Sequence, residues 1–431
     1  METKQTNLNR RAFLRRTATL SAFMILPRYV LGGKGYTAPS DRINIGFIGT
    51  GKQAFGLQRQ FLQLPDARVI AAADVYKHKL DEFAKRAKAY YTEKSVQQDC
   101  AVYNDFGALL DNRDVNAVVI ATPDHWHAIQ AVMAAKAGKD IYCEKPLSLT
   151  IKEGRAMVDA TRKYDRVFQT GSMQRSWPEF RQAVELVRNG YIGELKTIKV
   201  SVGPPPKPYD LPEQAIPEGL DWKSWLGPNE FVHFNSALTP SLKDSFWAKW
   251  RDYKEFGGGF MTDWGAHMFD IAQWALDMDG SGPVEVIPPD GKDYPDLTYR
   301  YANGLTMTHR DNGRKNVEFI GTEGTVDVQR GKLVTTPESL KDKKITDTDK
   351  RVYFSDNHYR DWTDAIRKRS RPICDVEVGH RTATVCTIGN IAYELGRPLK
   401  WDPEKEIFTN DREANAMLGR KMQRKWAKQL G

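Results

Sequence analysis

Cysteine is scarce: there are four in 431 residues (Cys100, Cys143, Cys374 and Cys386), and no two stand in a Cys-x-x-Cys spacing. That pattern excludes a zinc knuckle, whose ligands come in close pairs. The one close histidine pair, His125-x-His127, supplies two ligands without a companion cluster, so no metal is expected. No run of about 18 apolar residues occurs, which leaves no ordinary membrane span. Internal repeats and low-complexity tracts are also missing. A distributed basic stripe is lacking despite a net charge of +9, because residues 1–40 hold seven basic residues against one acid, or +6 of the total. The remaining 57 basic and 54 acidic residues leave only +3, so nucleic acid is not an expected partner. The basic run "GRKMQRKWAKQ" near the C-terminus reads as the solvated face of a tail helix.

Charge and apolar residues are instead ordered at the start of the chain. "NRRAFLRR" is followed by "TATLSAFMILP", the charged-then-apolar layout of an export signal, and the paired arginines indicate the twin-arginine route. The expected location is therefore the periplasm or another exported compartment. No cysteine follows the apolar stretch, which argues against a lipid anchor there. Export permits disulfides; whether Cys374 and Cys386 pair is left open by the sequence.

From residue 43 onward, short apolar runs alternate with amphipathic stretches. "INIGFIG", "RVIAAAD", "NAVVIATP", "DIYCEKP" and "RVFQTG" read as strands, with helices between them. Continuous Val/Ile/Ala strands separated by helices predict a parallel sheet covered on both faces. After about residue 190 the pattern changes to alternation, as in "ELKTIKVSVG", "LTYRYANGLTMTHR", "NVEFIGTEGTVDVQ" and "RVYF", with turn signals at Asn303-Gly304 and Glu323-Gly324. This predicts a mainly antiparallel sheet with helices at "TDWGAHMFDIAQWALDM", "HYRDWTDAIRKRS" and "GHRTATVCTIGNIAYELG". The expected organisation is a leader (1–40), a Rossmann dinucleotide-binding domain (41–170), an α+β substrate domain (171–400) and a tail packing back on the body (401–431).

Four clusters carry chemistry. In "GFIGTGKQA", Gly49, Gly51 and Ala54 have the G-x-G-x-x-[G/A] spacing between a strand and a helix, so that the backbone turns tightly and approaches a pyrophosphate. Lys52 and Gln53 fall inside that turn and are assigned to the cofactor with it. Asp74 ends the second strand, placed to accept hydrogen bonds from ribose hydroxyls and to repel a 2′-phosphate, which predicts NAD rather than NADP. In "ATPDHWHA", Thr122 and Pro123 turn the chain across the cofactor, with His127 rather than His125 near the nicotinamide. In "CEKPLSLT", Glu144 and Lys145 end the fourth strand at the same sheet edge, where Lys145 can donate to a substrate hydroxyl. In "GGGFMTDWGAHMFD", Asp263 and His267 are four apart, on one helix face if helical, the arrangement of a carboxylate-assisted base.

The combination resembles the Gfo/Idh/MocA oxidoreductases, the glucose–fructose oxidoreductase and inositol dehydrogenase family. The likeness covers Ile43 to about Arg175 and continues through "YIGELKTIKV" and "TDWGAH". It implies a Rossmann domain followed by a domain with a large open sheet. It implies catalytic roles for Lys145, Asp263 and His267, a basic residue near the substrate at Arg175 with Trp177 beside it, and a homodimer or homotetramer. Trp247, Arg251 and Tyr253 in "WAKWRDYKEFGGG" are assigned to a substrate-facing loop. Two assignments of the proton acceptor stay open, His267 oriented by Asp263 or Lys145 itself. The expected activity is oxidation of a CH–OH group of a sugar, glycoside or cyclitol, with a cofactor held tightly enough to survive export. The alternatives are NAD-dependent redox-assisted glycoside cleavage and a non-catalytic sugar-binding protein on the same scaffold.

Overall fold

In the computed structural model, which describes residues 42–430, the first strand β1 (Ile43–Ile48) leads into helix α1 (Lys52–Leu62). Then follow β2 (Ala67–Ala73), α2 (Lys77–Glu93), β3 (Ala101–Tyr103), α3 (Phe106–Leu110), β4 (Ala117–Ile120), α4 (Asp124–Lys136), β5 (Asp140–Cys143), α5 (Ile151–Lys163) and β6 (Phe168–Thr170). The strands pair in parallel in the order β3-β2-β1-β4-β5-β6. Adjacent β1 and β4 send their connections to opposite sides, which opens a crevice at their carboxyl ends. The apolar strands bury both faces. Ile45 and Phe47 pack against Leu57, Phe61 and Phe83, and Ile48, Val118 and Ile120 pack with Leu109, Ala128 and Met157.

Helix α6 (Pro178–Arg188) leads to β7 (Leu195–Ser201), and the chain runs through α7 (Trp222–Leu226), α8 (Gly259–Asp263) and α9 (Gly265–Ala275). Strands β8 (Glu285–Ile287), β9 (Leu297–Arg300), β10 (Thr306–His309), β11 (Asn316–Gly321), β12 (Thr325–Gln329) and β13 (Lys332–Thr336) follow. Next come α10 (His358–Lys368), α11 (Val376–Leu395), β14 (Leu399–Asp402), β15 (Ile407–Phe408), α12 (Arg412–Ala416) and α13 (Arg424–Leu430). The second sheet runs β13-β12-β11-β7-β10-β9-β8-β14-β15, antiparallel except for the pair β7/β10. One face is covered by α6, α9 and α11, whose Phe180, Phe269 and Ile388 meet Val200, Phe319 and Met307. The other carries polar pairs such as Lys199–Glu318 and Arg314–Asp327.

Three expectations change. The "TDWGAHMFDIAQW" stretch is two helices with Trp264 between them. Residues 351–354, expected as a strand, lie outside the sheet: the segment finds no ladder partner, and Tyr353 and Phe354 stay exposed. The chain also returns to the first sheet, where α10 inserts the fully buried Trp362 against Phe61 and Tyr142, with ring centroids 5.5 and 5.7 Å away. Cys374 and Cys386 are buried free thiols. The expected export signal lies outside the described residues.

Candidate active site

A cavity of about 960 Å³ opens at the carboxyl ends of β1, β4 and β5 and is closed by residues of α8, α9 and the 238–251 loop. Its first wall is the turn after β1. Gly49 has φ +87°, and a Cβ there would meet Thr122 Cγ2 at 2.8 Å and the Ala121 carbonyl carbon at 2.9 Å, so only glycine fits. Gly51 has open space on its Cβ side and stands before α1 without a side-chain cap, leaving the helix's first N–H groups free for an anion. Asp74 is tied into this turn: Oδ2 accepts from Thr50 N (2.6 Å) and Thr50 Oγ1 (2.8 Å), and Oδ1 accepts from Tyr76 N (2.8 Å). A carboxylate has about four acceptor sites, so Asp74 keeps capacity for a ribose hydroxyl on its cavity side. Thr122, Pro123, Gln53 and Glu144 complete this wall. Glu144 Oε1 is buried with no protein partner, an acceptor left over for a ligand. Burial raises the Glu144 pKa, against the opposing pull of Lys145. The residues fit a dinucleotide.

Three cofactor assignments need correction. Ala54 is fully buried and packs α1 against the sheet instead of lining the cavity, since the third position of the fingerprint serves helix–strand packing. Lys52 lines the cavity, but its ammonium is committed to the carbonyl oxygens of Asp244 and Phe246 (2.7 Å for the latter). It therefore fastens the 238–251 loop to the glycine turn. His127 is buried between the carbonyl oxygens of Pro146 and Thr122, 2.9 Å from each. Burial pushes its pKa down to about 4, and the neutral ring, with one N–H, donates to one of these two carbonyl oxygens behind the cavity wall.

At the other end Lys145 Nζ donates to Asp263 Oδ1 (2.7 Å) and to the Asp263 carbonyl oxygen (2.9 Å). Arg251 Nε reaches the same Oδ1 at 3.3 Å, its guanidinium over the rings of Trp250 (4.2 Å) and Trp247 (5.5 Å). Burial pushes Asp263 up, but Lys145 and Arg251 overcome it and hold the carboxyl well below the ordinary range. Asp263 therefore serves Lys145, and no hydrogen bond joins it to His267, contrary to the expectation from their spacing. His267 lines the cavity with Nδ1 buried and unpartnered. Burial first, then the Lys145 and Arg330 cations, keep its imidazole neutral. Asp124, the first residue of α4, is buried with Oδ1 unpartnered; burial and then Asp263 push it well above the ordinary range.

The substrate assignments divide. Trp247 and Arg251 line the cavity. Tyr253 is 2% exposed inside an aromatic cluster with Tyr209 and Phe256, turned away from the cavity. Arg175 is 1% exposed, paired with Asp270 and Asp279, and Trp177 packs beside it on the core, so neither lines the cavity. The sequence reading missed the aromatic wall made by Phe106, Trp126 and Trp426, with Trp126 and Trp426 centroids 4.8 Å apart. A lone tryptophan in the basic tail was the available signal. It also missed Arg330, in the turn between β12 and β13, which nothing in the local pattern distinguishes.

Comparison with known proteins agrees with this fold. Residues 43–172 match the GFO_IDH_MocA model, an oxidoreductase family with an NAD-binding Rossmann fold, and residues 207–428 match the C-terminal alpha/beta domain of the same oxidoreductase family. Levoglucosan dehydrogenase from Pseudarthrobacter phenanthrenivorans is 32% identical over 333 residues, 66% of this chain and 73% of that protein. Myo-inositol 2-dehydrogenase from Thermotoga maritima is 24% identical over 381 residues, 84% of this chain and 97% of that one. Among solved structures, the aldose-aldose oxidoreductase from Caulobacter crescentus complexed with glycerol superposes with a TM-score of 0.57 at 20% identity, covering 83% of this chain and 99% of its own.

Proposed function

The chain belongs to the Gfo/Idh/MocA oxidoreductase family and carries its NAD-binding Rossmann fold, and from that premise we propose that it oxidises one CH–OH group of a sugar, glycoside or cyclitol by hydride transfer to a retained NAD. The observation that carries this reading is the Lys145–Asp263 pair facing the same cavity as the neutral His267. A nicotinamide cofactor, held along Gly49, Gly51, Asp74 and Thr122, would supply the hydride acceptor. Lys145 donates a hydrogen bond to the carbinol oxygen, and Asp263 holds the ammonium in position. His267, neutral and lining the same cavity, accepts the hydroxyl proton as the carbonyl forms. Asp263 holds Lys145 in the donor role, which favours His267 over Lys145 as base. Fixing the substrate between these groups supplies much of the rate.

Retention of the cofactor is supported by Lys52, which fastens the 238–251 loop across the glycine turn. The leader sequence supports export by the twin-arginine route, and an exported enzyme with a retained cofactor must regenerate it in place by reducing a second sugar. The test uses mature protein purified without added nucleotide. Single sugars are added, and the near-ultraviolet absorbance of reduced nicotinamide is followed. The expected result is a rise that stops at one turnover per subunit and is reversed by a second, oxidised sugar. Bound NAD that no sugar reduces, with aglycone released from a glycoside, would replace this reading with redox-assisted cleavage.

A further inference from the structure

Two arginines at the reacting end of the cavity are each laid over two tryptophans, but they differ in what their nitrogens do. Arg251, over Trp247 and Trp250, uses Nε on Asp263 and Nη1 on the Ala248 carbonyl oxygen (3.2 Å). Arg330 lies over Trp264 at 4.5 Å and Trp177 at 5.4 Å, and its Nε donates to Oε1 of the buried Gln174 (2.8 Å). Its two terminal nitrogens, Nη1 and Nη2, have no protein acceptor, and no carboxylate pairs with it among the described residues. The side chain is thus held by two rings and one hydrogen bond, exposed at the edge of the cavity that Lys145 and His267 also line. A rigid guanidinium loses little entropy on taking up a planar two-oxygen anion, which it matches by two parallel N–H···O bonds.

The surrounding charge points the same way. Lys145, Arg251 and Arg330 stand against Asp263, whose charge is already met by the first two. Burial is the largest influence on the Asp124 and Glu144 carboxyls and raises both. Of these three cations, Arg330 alone makes no ion pair with a carboxylate among the described residues.

We propose that the substrate is an acidic sugar, whose carboxylate is gripped by Nη1 and Nη2 of Arg330 while Lys145 holds the hydroxyl to be oxidised. The inference rests on the oxidoreductase reading above and names its substrate class.

The test compares hexuronates with the matching neutral hexoses and hexose phosphates, using the full protein with its bound nucleotide. Wild type is expected to favour the hexuronate over the neutral sugar by roughly 10–100-fold in kcat/KM, the range for a charge-assisted pair. In Arg330→Gln that ratio should collapse toward one, mainly through KM, and Arg330→Lys, which keeps the charge but loses the fork, should fall between. Nucleotide content and Tm of both variants confirm folding. A neutral sugar or a hexose phosphate preferred by wild type, or a ratio unchanged in Arg330→Gln, would overturn the proposal. If no sugar reduces the cofactor, the oxidoreductase reading fails by itself. Calorimetric titration of hexuronate and neutral hexose into wild type and Arg330→Gln then still decides, because equal affinities would overturn the carboxylate assignment.

Discussion

Asp263 and Asp270 are two helical turns apart on adjacent helices, and each meets a long cation from elsewhere in the chain. Around Asp270 every guanidinium nitrogen of Arg175 is used. Nε and Nη2 bind Asp270 at 2.8 Å each, Nη1 and Nη2 bind Asp279 at 2.9 and 2.7 Å, and the Thr382 hydroxyl adds a bond to Asp270. Arg175 and Asp270 are each 1% exposed. Around Asp263 the pair with Lys145 is 13% and 14% exposed and faces a cavity, and the imidazole one turn away keeps an unpartnered nitrogen. The same residue types therefore make a closed structural joint in one place and an open, reactive one in the other. What separates them is saturation: a charge whose partners are complete holds the fold, and a charge with capacity left over is available to a substrate.

The sharpest way to break the comparison is to remove one cation from each cluster. Lys145→Met is expected to cut single-turnover cofactor reduction about 100–1,000-fold, the range for a lost donor to the developing oxyanion, while Tm stays within a few degrees because Arg251 still faces Asp263. Stopped-flow absorbance beside thermal denaturation measures both. Arg175→Met should do the reverse. It strands a buried carboxylate and should cost about 3–5 kcal/mol in urea denaturation, with cofactor reduction per folded molecule nearly intact. Equal losses of stability in the two variants would abolish the distinction.

Acid sharpens the contrast more gently. His358, which lies beside the Arg175 cluster, and His127, behind the cavity, are both lowered to about 4 by burial, against about 6.5 in the unfolded chain. Between these values the unfolded state binds more protons, so stability is full above about pH 6.5, falls as pH falls, and levels off below about 4. The loss is at most about 3 kcal/mol per histidine, from 1.36 kcal/mol per pKa unit. Urea midpoints across pH 4–7 report it, and a flat profile would contradict the burial argument. The Lys145–Asp263 pair should outlast this window, because Asp263 is held well below it.

The same distinction explains what the sequence could reveal. The first sheet was legible because strands buried on both faces are continuous apolar runs, and because Gly49, Asp74 and Lys145 fall at strand ends that share one edge. Asp263 and His267 were legible as residues, but their partnership was not: the spacing suggests a mutual bond, whereas Lys145, 118 positions away, takes the carboxylate. Arg175 was misassigned for a related reason, since a basic residue just after the last Rossmann strand looks available until Asp270 and Asp279 are seen to enclose it. Strands of two or three residues, such as β8 and β15, carry too few alternations to register, and "RVYF" alternates without a neighbour to pair with. Arg330 and Trp426 owe their positions to tertiary packing alone.

Trp426 has a consequence for how the molecule matures. The tail is drawn under the cavity by Gln423, whose side chain donates to the Asn229 carbonyl oxygen (2.9 Å), and by Arg420, which binds Glu153 and the His125 carbonyl oxygen. One wall of the nucleotide site thus comes from the first strand-to-helix turn and another from the last described helix. No partly folded stretch of chain contains both. A ligand that recognises only the finished site adds its binding free energy to the complete fold and to nothing short of it, so an occupied cofactor site records that the chain between the glycine turn and Trp426 has reached its place.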